Sequence, residues 1–128
     1  MVLDSSAIVA IILGEADSVD LQRKIKNTDR LAVGTTTLLE TSLVLRPHLF
    51  DAAEPTLDRF IEDAGCIILD FTHAHFLAAR TAHRRYGRGN HRAALNFGDC
   101  MSYSFAKLAG MPLLFIGTDF GQTDIDAA

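Results

Sequence analysis

The sequence predicts an α/β sandwich built on a mainly parallel sheet, and three observations carry that reading. Four short runs are uniformly apolar: residues 1–3 (MVL), 31–33 (LAV), 66–69 (CIIL) and 113–116 (LLFI). Strands covered on both faces have this composition, whereas half-solvated strands alternate apolar with polar residues. Helical segments lie between the runs and supply the crossovers that parallel neighbours require. Finally, 128 residues of which 48% are hydrophobic and 22% charged make a globular chain, able to bury roughly two-thirds of its unfolded surface in one core. No linker, internal repeat or low-complexity tract interrupts it, so residues 1–128 are expected to form a single domain.

The first run ends at Asp4, followed by Ser5, Ser6 and the apolar stretch 7–13 (AIVAIIL), read as a buried helix closed by Gly14. No Lys or Arg precedes that stretch and Asp4 interrupts its start, so it is neither a signal-peptide core nor a membrane span. A second helix is expected over 16–26, with Leu21 and Ile25 four apart, acids early and bases late. After the second run, Gly34 and three threonines lead into a helix over 37–46 that Pro47 should stop. Helices over 53–64 and 72–86 flank the third run. The last helix, 95–109 (LNFGDCMSYSFAKLA), opens where Asn96 and Gly98 break the preceding segment, and Met101, Phe105 and Leu108 make one face apolar. Gly110 and Pro112 end it before the fourth run, and a polar tail follows.

A net charge of -4 argues against bulk-charge binding of nucleic acid, so local charge distribution decides. Cys66 and Cys100 lack CxxC spacing, which indicates neither a disulfide framework nor a zinc site and fits a reduced, cytoplasmic setting. His73 and His75 lie two apart at a helix start, where side chains diverge, and are expected to face solvent. No Ser, Cys or Lys has the surroundings of a nucleophile, and no Gly-rich phosphate loop occurs.

The chemistry concentrates in carboxylates. In open parallel sheets ligands bind outside the carboxyl ends of the strands. Asp4 follows the first run, Asp119 follows the fourth, and Asp99 begins the helix leading into the fourth. Glu40 can join them from the helix after the second run. Three of the four have a local alternative: Asp4 and Asp99 as helix caps, and Glu40 as the partner of Thr37 in a capping box. Asp70, at an ordinary helix start, is left out. Acids gathered in one pocket repel each other unless a cation is present, and hard cations such as Mg²⁺ and Mn²⁺ take oxygen ligands. Such an ion would activate water and shield phosphate oxygens during an in-line displacement.

These residues carry a resemblance. The opening VLDSSAIVA, the helix TTTLLETSLVL, the loop YGRGNHRAALNFGDCMSYSFAKLAG and the ending PLLFIGTDFGQTDI together resemble a PIN domain, and within that superfamily a VapC toxin of VapBC toxin–antitoxin modules. The resemblance implies an α/β/α sandwich with four or five mainly parallel strands, the first run central. It implies that Asp4, Glu40 and Asp99 bind Mg²⁺ or Mn²⁺, with Asp119 as a fourth, more variable acid. Ser6, Thr118 and Asn96 would support them, Ser6 by a hydrogen bond to Asp4 or a metal-bound water. The chain departs from the family pattern at Ile116, where relatives often carry a base, and at Thr118, where they carry an acid or Asn. Thr118, rather than Asp119, can therefore hold the inward position.

Residues 83–92 (HRRYGRGNHR) place four arginines, two histidines and a tyrosine just before Asp99. Guanidinium forks match phosphate geometry, and Tyr86 offers a face for a base. Arg88, His91 and Arg92, nearest Asp99, and then Arg85 and Tyr86, are the candidates for RNA or for an acidic antitoxin segment; a solvated helix end is the alternative. The resulting reading is an endoribonuclease that hydrolyses RNA with a metal-activated water, silenced by a VapB-type antitoxin and forming a homodimer away from membranes. One rival is a PIN-like binding module without catalysis. A receiver-type phosphoacceptor domain fits less well, because Asp4 is followed by Ser5 and residues 116–119 contain no Lys.

Overall fold

The structure, a computed structural model, describes residues 1–128. Strands β1 (Val2–Leu3), β2 (Ala32–Gly34), β3 (Ile67–Leu69) and β4 (Leu113–Leu114) form one sheet in the order β3-β2-β1-β4, every pair parallel. Helices α1 (Ser5–Leu13), α2 (Ser18–Lys26), α3 (Thr35–Leu49), α4 (Ala53–Asp63), α5 (His73–Tyr86) and α6 (Phe97–Ala109) cover both faces. Alternation along the strands divides the core in two. Val2, Ala32 and Leu113 pack with Tyr103 and Phe105 under α5 and α6, whereas Leu3, Val33 and Leu114 pack with Ile8, Leu45 and Ile61 under α1 to α4. The α/β/α sandwich with β1 at its centre is thus the expected one, and it has four strands.

Two elements differ from expectation. Pro47 does not stop α3 but lies inside its last turn. The hydrogen bond it cannot donate would go to Leu43, which is exposed, so water can satisfy that carbonyl. The helix then bends at Phe50 into the 3₁₀ turn Phe50–Ala52 and directly on to α4. Strand β3 is not buried on both faces: Ile67 is 45% and Ile68 52% exposed. It is an edge strand paired only with β2, a position that a uniformly apolar run does not reveal. The other edge is covered by the chain's own end, since Leu113 N–H donates to Asp126 O and Ala128 N–H to Leu113 O, each at 2.9 Å. No helix is long and apolar enough to cross a membrane.

The approach of α6 to the sheet requires a glycine. A Cβ on Gly34 would overlap the Phe105 ring, so only hydrogen there lets α6 seat against the β2–α3 junction. That seating carries the start of α6 toward α3 and toward the carboxyl end of β1.

Candidate functional site: a carboxylate cluster at the sheet's carboxyl edge

Asp4 leaves β1 with its backbone N–H bound to Leu114 O at 2.9 Å and only 4% of its surface exposed. It caps α1: its Oδ2 accepts from Ser6 N–H at 3.0 Å and from Ser6 Oγ–H at 2.6 Å. Ser6 Oγ in turn accepts from Ile116 N–H at 3.0 Å, so one hydroxyl ties the end of β1 to the segment after β4. Asp99 behaves similarly. Asn96 and Asp99 form a capping box, with Asp99 N–H donating to Asn96 Oδ1 at 2.9 Å and Asn96 N–H to Asp99 Oδ2 at 2.8 Å. In both acids the Oδ1 atom has no protein partner.

Glu40 is not used in a local cap. The first residue of α3 is Thr35, so Thr37 falls inside the helix, buried, its hydroxyl 3.3 Å from Ser102 Oγ. This leaves Glu40 to project from α3 onto the first turn of α6, where its carboxylate lies against Gly98: a Cβ at that position would meet Oε2 at 2.6 Å and Cδ at 2.7 Å, and Oε1 closer still. Gly98 is thus the residue that lets the two helix starts share one space.

The electrostatics tie the acids together. Burial pushes the Glu40 carboxyl above its ordinary value, the charge on Asp4 adds to this, the Ser5 hydroxyl opposes it and Asp99 adds again. Asp99 is also raised, first by burial and then by Asp4 and Asp119, against the Asn96 N–H bond and Arg88, which pull it down. Asp119 and Thr118 are both exposed on the turn after β4, and Asp119 caps nothing with its side chain. Four acids from four separate segments therefore interact around the carboxyl end of β1. They do not form a closed cage, as no three His, Cys, Asp or Glu side chains approach one another as a ready set of metal ligands. Their donor set nevertheless suits a hard dication that keeps its waters and touches few carboxylates directly.

The basic run divides. Arg88 is exposed and close enough to Asp99 to act on its charge, and Arg92 is exposed without an ion pair. Tyr86 is not the stacking face expected: it is 8% exposed and packed edge-on to His91 at 5.3 Å and against Tyr103 at 5.9 Å. The cause is the loop's own closure, with Leu95 N–H donating to Tyr86 O at 2.9 Å and Arg88 N–H to Leu95 O at 3.1 Å. His91 helps to hold that loop, its Nδ1 accepting from Ala93 N–H at 3.1 Å. Arg85 lies over the Tyr86 ring at 4.8 Å and reaches Asp124 at 3.5 Å. His75 also departs from expectation. Half-buried 4.6 Å from the Phe105 ring, it accepts from Thr72 N–H through Nδ1 at 3.2 Å, while His73 stays exposed. Burial pushes the Cys66 and Cys100 thiols up to about 11, the charge of Asp99 adding at Cys100.

The PIN-domain family profile matches residues 1–126. This chain is a PIN domain. Its relatives place it among the VapC ribonucleases of that family. It is 39% identical over 127 residues to the Ribonuclease VapC of Mycolicibacterium smegmatis, covering 99% of this chain and 98% of the relative. It is equally 39% identical over 125 residues to Ribonuclease VapC30 of Mycobacterium tuberculosis H37Rv, covering 98% and 95%. Among solved structures, Mycobacterium tuberculosis VapC20, a toxin that cleaves the sarcin–ricin loop, superposes with a TM-score of 0.80 at 15% identity over 99% of this chain and 97% of that one. A toxin–antitoxin complex from Klebsiella pneumoniae gives 0.70 at 14% identity, over 96% and 92%. At those identities the structures speak for the PIN fold alone.

Three residues that the geometry makes prominent carry little signal in the sequence. Gly98 reads there only as a break, yet its missing side chain admits the Glu40 carboxylate. Ser5 acts on Glu40. Phe97, at the start of α6, has 81% of its surface in solvent. For Phe97 the pattern points the wrong way: it stands four residues before Met101 and so extends the apolar stripe that Phe105 and Leu108 continue.

Proposed function

We propose that this chain is a Mg²⁺- or Mn²⁺-dependent endoribonuclease, a single domain of residues 1–128 working in the cytoplasm as the toxin of a VapBC-type pair. What supports this reading is the convergence of Asp4, Glu40, Asp99 and Asp119 from four segments on one edge of the sheet, near enough that the charge of Asp4 acts on both Glu40 and Asp99 and that of Asp119 on Asp99. Asp4, Glu40 and Asp99 would hold the cation, with Asp119 as the outer acid, and the cation would supply a positive centre that polarises water and the phosphate oxygens.

The chain's own groups do the rest. Ser6 and the Ile116 N–H fix the Asp4 carboxylate, and Asn96 fixes Asp99, so that in each the remaining oxygen is held without a side-chain search. Arg88 supplies a guanidinium for the phosphate on the Asp99 side. Attack of water on phosphorus breaks the bond to the 3′ oxygen, leaving a 5′-phosphate and a 3′-hydroxyl. A cognate antitoxin and a second copy of the chain are the expected protein partners. The exposed Leu39, Leu43 and Val44 on the flank of α3 offer the apolar surface such partners cover.

The test is incubation of a mixed RNA pool with purified, antitoxin-free protein in Mg²⁺, in Mn²⁺ and in chelator, beside Asp99→Asn. Discrete fragments that require metal and disappear in the variant support the reading. A folded, antitoxin-free protein that leaves every RNA intact replaces it with a binding module that has lost catalysis.

A further inference from the structure

Phe97 is the most exposed large hydrophobic residue in the molecule, 81% in solvent, although it is the first residue of α6 and stands two positions before Asp99. Nothing in helix formation asks for an aromatic there. The ring separates two hollows. On one side is the groove of about 490 Å³ that includes Glu40, Gly98 and Met101. On the other, between α5 and α6, is a cavity of about 540 Å³ lined by Phe71, Phe76, Arg80, His83 and Met101. Volumes in this range suit small organic groups.

The second cavity has a definite chemical character. Its floor is aromatic and thioether, its polar edge is a guanidinium and an imidazole, and no acid lines it, although the chain carries more Asp and Glu than Lys and Arg. The Arg80 guanidinium rests over the Phe76 ring at 5.3 Å, and none of the molecule's ion pairs uses Arg80, His83, Arg84 or Arg88. Flat rings flanked by unpaired cations are what a nucleotide requires: a base stacks on the ring while its phosphate meets the guanidinium.

Resting on the ribonuclease reading, we propose that Phe97 and the α5–α6 cavity seat one nucleobase beside the phosphate to be cut, with Arg80 and His83 holding the neighbouring backbone. The seat takes an unpaired base, because a base inside a duplex presents no face to a side chain. It makes Phe97 a positioning and selectivity residue, acting on where the strand lies and leaving the bond chemistry to the acids. An apolar peptide segment, from an antitoxin or a second copy, is the competing occupant, but the unpaired cations and absent acids favour RNA.

The chain has no tryptophan, so Phe97→Trp introduces a single fluorophore at the seat. In an Asp99→Asn background with Mg²⁺, short single-stranded oligo(A) and oligo(U) should quench its emission, and the same RNA in a duplex should not. In cleavage-competent protein, Phe97→Ala should raise KM for a single-stranded oligoribonucleotide by on the order of 10- to 100-fold and change kcat little, with Phe97→Tyr restoring the low KM. Circular dichroism checks that each variant is folded. A parent that cleaves RNA, combined with unquenched emission from the Phe97→Trp protein and an unchanged KM in Phe97→Ala, overturns the seat and leaves the ribonuclease reading standing. Quenching by single-stranded RNA in a protein whose parent never cleaves supports the seat and overturns the ribonuclease. Emission that shifts with protein concentration or added antitoxin peptide, but not with RNA, assigns the surface to a protein and overturns the seat.

Discussion

Replacing Gly98 with alanine probes the site through a single added methyl group. The backbone there needs no positive φ, so alanine is tolerated by conformation, and as a helix former it should favour α6 by up to about 1 kcal/mol. The difficulty lies across the gap. The new Cβ would stand 2.6 Å from Glu40 Oε2 and nearer to Oε1, whereas ordinary contact begins at 3.4 Å. The Glu40 carboxylate must therefore retreat by about 1 Å, a misplacement that costs on the order of 10²-fold when a group has to meet a reacting centre. Expected, then, is a protein that melts no lower than the parent yet cuts RNA roughly 100-fold more slowly. The assay is initial cleavage rate at saturating Mg²⁺ beside a thermal melt. Parent-like cleavage by a folded Gly98→Ala protein would show that the Glu40 position does not matter to the reaction, and Glu40 would leave the site.

Four further outcomes follow from the same geometry. Asp99→Asn keeps an oxygen for the Asn96 N–H, so it should fold normally while cleavage falls by more than about 10²-fold; parent-like cleavage would remove Asp99 from the site. Arg88→Ala should weaken RNA binding across sequences and reduce the salt slope of log K by about one, read by fluorescence anisotropy at several salt concentrations. His75 is held below its usual value by burial, so the folded state binds fewer protons than the unfolded one. Its contribution to stability is complete above pH 6.5 and is lost as the pH falls below it, so the difference in melting temperature between the parent and His75→Gln should shrink on acidification. Tyr103→Phe removes the hydroxyl that donates to Asp124 at 2.7 Å. Because Asp124 is partly exposed and keeps Lys107 at 3.0 Å, the loss should be about 1 kcal/mol, measured by urea denaturation.

The order of elements was legible because each run and each helix is uniform enough to dominate its window. What the runs could not convey is neighbourhood. The stretch 66–69 is as apolar as 113–116, yet one forms an open edge with Ile67 and Ile68 in water while the other is closed over by the C-terminal residues. Tyr86 fails as a stacking face for a related reason: a hydrogen-bonded loop turns it inward, and no local pattern encodes that closure. Conversely, Phe97 is exposed where aromatics are usually buried, and only the cavities on either side give that exposure a meaning.

The carboxylates pose the sharper question, since Asp4, Glu40 and Asp99 each have both a capping and a catalytic reading in the sequence, and for Asp4 and Asp99 the geometry makes the two compatible. A carboxylate has two oxygens. Asp4 uses Oδ2 on Ser6 and Asp99 uses Oδ2 on Asn96, and each such bond fixes χ1 and χ2 and so fixes the direction of the other oxygen. The helix cap thereby preorganises the free carboxylate oxygen. Glu40, which has no cap, is confined instead by the glycine it faces. Freed of these constraints, four acids at one sheet edge would turn outward to relieve their repulsion. Held by two caps and a contact, Asp4, Glu40 and Asp99 stay close enough that the charge of Asp4 adds to burial in raising the proton affinity of both Glu40 and Asp99, a repulsion that a dication would relieve.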